Sequence, residues 1–399
     1  MSDHLYPANT GPLKGLRVLD LTRILAGPTA TQLLGDLGAD VVKIERPGQG
    51  DDTRTWGPPY LNDDKGQPTA ESGYYLAANR NKRSLTIDFT TQEGAVTLRR
   101  LAAKADVLME NFKLGGLAKY GLGYEDLKEI NPGLVYCSIT GFGQTGPNAH
   151  RAGYDIMVQG YGGYMSITGE KGGQPQKVGV AVADLITGMY SVTGILAALR
   201  HRDATGEGQH IDIALVDSQV SWLVNVGVNY LLSGNVPAPA GNTHANIVPY
   251  QVFATADSHI IIAVGNDSQF AAFAGILGHP DLASDDRFRT NPSRLKHRQI
   301  IVPLLEELIG TWRRDDLLKA CEEKGVPAGP VHDMADVFTS DQVRARDMKI
   351  SMPYDGAETG AVDLIGNPLK LSATPVSYRR PPPRCGQHTE EVLEDWLKD

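Results

Sequence analysis

The sequence predicts an α/β fold: a parallel sheet layered with helices, followed by a smaller α+β unit. Three observations carry this. The stretch "LRVLDLTRILAGPTATQLLGDLGADVVKIE" (16–45) runs from an apolar strand through a turn and a short helix to a second apolar strand. That is a βαβ unit, and its two strands must be parallel. The same alternation recurs as far as residue 143. At 399 residues the chain exceeds what one hydrophobic core usually spans, and its texture changes after residue 234.

Each element follows from the local pattern. Residues 17–22 read as a buried strand, "RILAGP" (23–28) as a turn, and "TATQLLGDLG" (29–38) as a helix opened by Thr29. "ADVVKIE" (39–45) is a second strand ending at Glu45. Next come a helix over 94–105, a strand over 106–111, a helix over 124–131 and a strand running into "GFG" at 143. Loops after the carboxyl ends of such strands are where function is expected. "LITGMYSVTGILAALR" (185–200) has the helical pattern, with Asp184 as the expected N-cap. Residues 208–234 hold a strand and then a long apolar helix; "NVPAPAGNTHANIVP" (235–249) is a turn-rich boundary. "YQVFATADSHIIIAVG" (250–265) reads as a hairpin, helices follow around 268–278 and 296–325, and "GVPAGPVHDMADVF" (325–338) begins the return. The tail "RRPPPRCGQHTEEVLEDWLKD" is a stiff proline segment and an amphipathic helix capped at Thr389, expected to dock on the first domain.

Composition narrows the function. The chain is 41% hydrophobic and 21% charged, as in a soluble globular protein. A net charge of −9 argues against a nucleic-acid partner. Cys137, Cys321 and Cys385 are far apart and odd in number, which suggests neither disulfides nor a metal site and fits the cytoplasm. The polar start "MSDHLYPANTGPLKG" is unlike a secretory signal, and no apolar run reads as long enough for a membrane span.

Four features carry candidate chemistry. Asp184 is the lone carboxylate in "GVAVADLITGMYSVTGILAALR" (179–200). Poor solvation at a helix start would make such a carboxylate reactive, and Gly179 and Gly188 would let a substrate approach closely. Arg46 follows the second strand, and "NRNKRS" (79–84) puts cations at another strand, either as a solvated loop or as a grip on phosphates. "GFGQTGP" (141–147) is a weak phosphate-loop signal. His244 sits in "GNTHANIVPYQ", either as a loop group or a site residue. Glu45 falls near where a dinucleotide enzyme holds ribose, but "AGPTAT" lacks the glycine fingerprint, so the nicotinamide reading is weak.

These pieces in this order resemble one family. "LDLTRILAGPTATQLLGDLGADVVKIERPGQGDDTR", "NRNKRS", "ENF", "SITGFGQTGP", "RAGYD", "ADLITG", "GVPAGPV" and "GQHTEEVL" together look like a class III CoA-transferase, the family of formyl-CoA transferase and carnitine CoA-transferase. The resemblance runs from about residue 13 to the end of the chain. It implies a Rossmann-like large domain over 1–215, a linker over 216–240, a small α+β domain over 241–338, a return linker over 339–365, and a segment over 366–399 completing the large domain. Each chain would form a ring, and two interlinked rings a homodimer.

The resemblance also implies chemistry. Asp184 falls on the family's nucleophile, which forms an anhydride and then a thioester with CoA. Acyl-CoA and a small carboxylic acid are the expected substrates, with no metal, cofactor, nucleic acid or membrane. The CoA contacts carry over to Arg23, Leu25, Ala26, Arg46, Ile87 to Thr90, Asn111, Phe112, Lys113, Lys119, Arg151 and Tyr154, with His244 in a substrate loop. Leu25 replaces the glutamine of formyl-CoA transferase, and Lys119 replaces an arginine. α-Methylacyl-CoA racemases share the fold but carry histidine where Tyr154 stands, and unactivated tyrosine is a poor base near neutral pH. A CoA-binding module without activity is the other alternative. "GDDTRTWGPP", "RAGYD" and "NIVPYQVF" are most similar to the succinyl-CoA:glutarate branch, where a second carboxylate would need a cation such as Arg23, Arg54 or His244.

Overall fold

The computed structural model describes residues 8–398, so the first residues of the N-terminal stretch and the last residue of the tail lie outside the described residues. Six parallel strands form the central sheet: β1 (Arg17–Asp20), β2 (Asp40–Glu45), β3 (Lys82–Thr86), β4 (Val107–Glu110), β5 (Val135–Thr140) and β6 (His210–Ala214). Their spatial order is β3-β2-β1-β4-β5-β6. The order reverses direction between β1 and β4, and in sheets of this kind that crevice is where ligands bind. Helices cover both faces. On one, α1 (Ala26–Asp36) and α2 (Val182–Thr205) bury Ala30, Leu34, Ile195 and Leu199 against Val18, Val107 and Val135. On the other, the helix Gln92–Ala102 packs Leu98 and Leu101 against Leu19, Val42 and Leu108.

α1 begins at Ala26, earlier than the expected Thr29. Pro28 therefore lies in the first turn, where its missing N–H costs nothing. α2 begins at Val182, so Asp184 stands in its first turn rather than at the N-cap, which is Ala181. By length and composition α2 qualifies as a membrane span, against the reading from sequence, but half of that apolar window is buried inside the protein. Its apolar run is explained by packing on α1 and the sheet. The single long helix expected after β6 is broken into Leu215–Ser221 and Val224–Ser233, with Val224 at φ 42°.

"NRNKRS" is neither a solvated loop nor a phosphate grip. All of Asn79 to Ser84 is buried, and each cation has an acidic partner. Arg80 Nη2 meets Asp36 Oδ2 at 2.6 Å, Lys82 Nζ meets Asp20 Oδ2 at 3.1 Å, and Arg83 pairs with Asp40 and with Glu391 and Asp395 of the tail. The tail docks as expected. Its helix α3 (Thr389–Leu397) inserts Val392 and Trp396 into the sheet's second core, and Trp396 Nε1 donates to Asp40 at 3.0 Å. The N-cap is His388 rather than Thr389, whose hydroxyl instead donates to the Gly386 carbonyl at 2.9 Å.

The chain divides into two compact units, one comprising 1–164, 177–235 and 341–399, the other 165–176 and 236–340. The second unit therefore takes in 165–176, which the sequence reading leaves in the large domain; Gly241 N–H donates to the Gly169 carbonyl at 2.9 Å. Its antiparallel sheet joins Tyr250–Ala254, His259–Ala263 and Ala328–Pro330, and Phe270, Phe273, Ile301 and Leu305 fill its core. Because Ala328–Pro330 pairs with His259–Ala263, "GVPAGPV" completes this unit rather than beginning the return, which starts at residue 341. The helices Leu215–Ser221 and Val224–Ser233, read as linker, belong to the first unit.

Candidate active site

The loop joining β1 to α1 is held in an unusual shape. Ile24 has φ 73°, a left-handed conformation that a β-branched side chain rarely adopts. Such strain persists only where the surroundings over-determine it. Here they do. The Thr22 hydroxyl and amide donate to Asp20 Oδ1 at 2.5 and 2.9 Å, and the Thr22 carbonyl accepts from Lys43 Nζ at 2.9 Å. Lys43 Nζ also meets Asp51 Oδ2 at 2.8 Å, while Asp51 Oδ1 accepts from the Ile24 amide at 3.4 Å. Asn111, just past β4, takes both backbone groups of Arg23: its Oδ1 accepts at 3.0 Å and its Nδ2 donates at 2.8 Å. Burial alone would neutralise these charges. The pairs outweigh it, so Asp51 sits at about 2 and Asp20 is lowered, whereas burial pulls Lys82 down to about 8 despite Asp20.

A cleft opens beside this loop, at the carboxyl ends of β1, β2, β3 and β4. Arg23, Arg46, Ile87, Phe89, Thr90 and Phe112 are among its lining residues. Phe89 and Phe112 meet edge to face at 5.5 Å, and the Arg23 guanidinium lies 5.4 Å from the Phe112 ring. Arg23 Nη1 donates to Asp52 at 2.7 Å, and Arg46 Nη1 donates to Gln49 at 2.8 Å from an exposed position. The cleft thus joins apolar and aromatic side chains to Arg23, Lys43 and Arg46, with Glu45, Asp51, Asp52 and Asp88 also in its lining; Arg23 and Lys43 are paired with Asp52 and Asp51.

Asp184 lies outside that lining, on the first turn of α2. The helix is pinned to the loop's end, since a Cβ on Gly188 would sit 2.7 Å from the Ala26 carbonyl oxygen. Gly188 therefore serves helix packing, not substrate approach, and Asp184 is one turn before it on the same face. Burial, and then the charge of Asp155, push the Asp184 carboxyl up to about 7. The Tyr74 phenol is raised by burial and by the charges of Asp184, Asp155 and Asp51 together, which places these groups in one electrostatic neighbourhood. A partly desolvated carboxylate at a helix start can act as a nucleophile.

Comparisons with known proteins show the family. Residues 13–389 match the model of CoA-transferase family III. This chain belongs to that family. It is 50% identical over 390 residues to the succinate–glutarate CoA-transferase of Agrobacterium fabrum, covering 98% of this chain and 96% of the relative. It is 43% identical to the human succinyl-CoA:glutarate CoA-transferase, covering 98% and 87%. Its structure resembles a CAIB/BAIF family protein from Brucella suis, with a TM-score of 0.87, 50% identity, and 97% and 99% of the two chains covered.

For a CoA-transferase of family III the candidate residues sort as follows. Arg23, Arg46, Ile87, Thr90 and Phe112 come together around the cleft, and Asn111 fixes Arg23. Lys113 and Lys119 are exposed on the segment after β4, with Lys119 Nζ 4.8 Å above the Tyr120 ring. Leu25 and Ala26 form the N-cap and first residue of α1, outside the cleft lining. Arg151 lies 5.1 Å from the Phe142 ring, and Tyr154 is exposed at the N-cap of the helix Asp155–Tyr161. His244 belongs to the second unit, where its Nδ1 accepts from the Asn246 amide at 3.1 Å. Arg54 cannot serve a substrate carboxylate: it is buried and already meets Glu45, Glu71, Tyr75 and the Pro383 carbonyl. Glu45 is consumed by that same pair, which leaves it no ribose to hold. "GFGQTGP" is a packing device, because Gly141 and Gly153 approach so closely that a Cβ on either would lie about 2.5 Å from the other's Cα. Sequence reasoning missed the network of Lys43, Asp20 and Asp51. "DVVKIE" shows a lysine inside an apolar strand, and that was the available signal.

Proposed function

We propose that this chain moves CoA from succinyl-CoA to a dicarboxylic acid such as glutarate, with Asp184 as the covalent carrier. The observation that carries the reading is Asp184 itself: a partly buried carboxyl raised to about 7 by burial and by the charge of Asp155, on a helix packed against the loop that borders an aromatic-lined cleft. The names of the relatives supply the acids.

The chemistry follows in balanced steps. An Asp184 oxygen attacks the thioester carbonyl, the C–S bond breaks, and CoA leaves as thiolate from a mixed anhydride. The thiolate attacks the aspartyl carbonyl of that anhydride and releases succinate, leaving an aspartyl thioester. The acceptor carboxylate attacks this thioester, giving a second anhydride and thiolate. The thiolate then attacks the acceptor's carbonyl, which forms the new acyl-CoA and frees Asp184. Splitting one exchange between poor nucleophiles into these steps is the general gain of covalent catalysis. No redox or metal step enters, so CoA is substrate and no further cofactor is required. In this reading the CoA nucleotide lies at Arg46, Ile87 and Thr90, its pantetheine runs past Arg23, Leu25 and Ala26, and the exposed Arg23 receives the second carboxylate. The remaining candidates, Asn111, Phe112, Lys113, Lys119, Arg151 and Tyr154, flank that path.

We also assign a homodimer of interlinked rings, in the cytoplasm. Tyr154, Met157, Met189, Trp222, Leu231 and Leu232 are large apolar side chains left exposed within the first unit, Leu231 and Leu232 by 79% and 82%. In this reading the second chain covers these side chains. The test of function is an exchange screen with succinyl-CoA and a panel of mono- and dicarboxylic acids. Transfer to glutarate at a rate well above acetate supports the reading; a preference for monocarboxylates overturns the dicarboxylate assignment.

A further inference from the structure

The helix that carries Asp184 starts without a cap of its own, since Ala181 has no side-chain acceptor. The first N–H groups of a helix need partners from elsewhere. Asp155 supplies one from a different helix: its Oδ1 accepts the Ala183 N–H at 2.9 Å. Ala183 immediately precedes Asp184. The other oxygen of Asp155 accepts from Gln159 Nε2 at 2.7 Å, and Gln159 Oε1 accepts the Val178 N–H at 2.9 Å. Gln159 is fully buried. One short helix thus grips the chain on both sides of the approach to Asp184, at Val178 and at Ala183. That helix is itself anchored to the sheet, because Gly153, just ahead of it, packs backbone to backbone on Gly141 at the end of β5.

We propose that Asp155 and Gln159 are positioning residues that hold the Asp184 carboxylate in its attacking orientation. This rests on Asp184 being the nucleophile. Neither residue touches substrate in this account; Gln159 acts through the backbone of 178–184, and Asp155 through that backbone and through its charge beside Asp184. Misplacing a reacting group by about 1 Å can cost about a hundredfold in rate, while leaving substrate binding in a separate cleft untouched. Asparagine at 155 keeps an oxygen for the Ala183 N–H, whereas alanine does not.

The test uses the full chain carrying Asp155→Ala, Asp155→Asn, Gln159→Met or Asp184→Asn. Turnover and KM are measured with succinyl-CoA and glutarate, and amide hydrogen exchange is followed over 178–184. Asp155→Ala is expected to lower kcat by about 10- to 100-fold with the succinyl-CoA KM within about twofold, and to speed exchange at Ala183. Asp155→Asn keeps the acceptor for Ala183 but sets its NH2 against Gln159 Nε2, so it should recover part of kcat, above the level of Asp155→Ala. Gln159→Met, which leaves Asp155 intact, should speed exchange at Val178 and lower kcat by a smaller factor; it carries the test if Asp155→Ala fails to fold. A folded Asp155→Ala with unchanged kcat, an equal loss in Asp155→Asn, or an unchanged kcat in Gln159→Met overturns the proposal. Asp184→Asn separates the two claims. If it is inactive while Asp155→Ala is fully active, only the positioning role falls; if it retains transfer, the nucleophile and the positioning role fall together.

Discussion

Asp184 holds its proton more tightly than an ordinary aspartate because burial and Asp155 both disfavour the charge. Only the ionised form attacks, so kcat/KM should rise as pH climbs through about 7. The linked effect on stability has the opposite sense. A carboxyl whose folded pKa is raised stabilises the fold below the unfolded value near 3.8, and that contribution is lost as pH rises through about 7. Asp184→Asn is always neutral, so it should melt higher than the unsubstituted protein at pH 8, and the difference should shrink towards pH 5. Melting curves of the two proteins at both values check this; a difference independent of pH would contradict the shifted carboxyl. At this scale the sequence was partly legible. A lone carboxylate in an apolar run is visible by eye. Asp155 and Gln159 are not, because they reach Ala183 and Val178 across 28 and 19 positions of sequence and meet them only in the folded chain.

Among the elements, the strand β3 carries the least expected chemistry. A run of cations reads as solvent-facing because isolated charges avoid interiors. β3 and the residues just before it escape that rule since Arg80, Lys82 and Arg83 each meet a carboxylate from α1, β1, β2 or the tail, 43 or more positions away in sequence. Removing one partner of a buried pair strands the other, at about 3–5 kcal/mol. Lys82→Met should therefore strip Asp20 of its ion pair, leaving only the donors from Thr22 and Thr31, and lower the melting temperature strongly, although methionine fills a similar volume. Loss of CoA-ester binding should accompany it, because Asp20 anchors Thr22 at the root of the strained loop. A thermal melt and calorimetric titration measure the two effects; a variant that melts with the parent would show that the pair is dispensable. The helix starts were misread for a related reason. Thr29, Asp184 and Thr389 all looked like caps, yet each lies inside its helix, and the residues at the caps are Leu25, Ala181 and His388.

For the whole molecule, the alternation of strands and helices made the parallel sheet readable, since the βαβ unit ties local pattern to topology. The second unit's share of 165–176 was not readable, because that segment joins it through single backbone contacts such as Gly241 to Gly169 rather than through an apolar pattern. The proposed interlinked homodimer has a clear consequence. Two linked rings cannot part by sliding, so dissociation should require unfolding and proceed at the unfolding rate. Light scattering across a wide concentration range should find a dimer throughout, and tagged and untagged protein should not exchange subunits under native conditions. A folded monomer on dilution, or exchange within minutes, would contradict the linked architecture.

The central claim is that acyl groups pass through Asp184, and heavy oxygen tests it most directly. In the proposed steps an oxygen of the acceptor carboxylate ends on the Asp184 side chain at each turnover. Cleavage after Lys177 and Arg200 releases "VGVAVADLITGMYSVTGILAALR" (178–200), in which Asp184 is the single acidic side chain. With succinyl-CoA and glutarate labelled in its carboxylates, followed by digestion in ordinary water, this peptide should gain first one and then two heavy oxygens, all located on Asp184. An unlabelled peptide from protein that has turned over many times would contradict the covalent route and take Asp184 out of the chemistry.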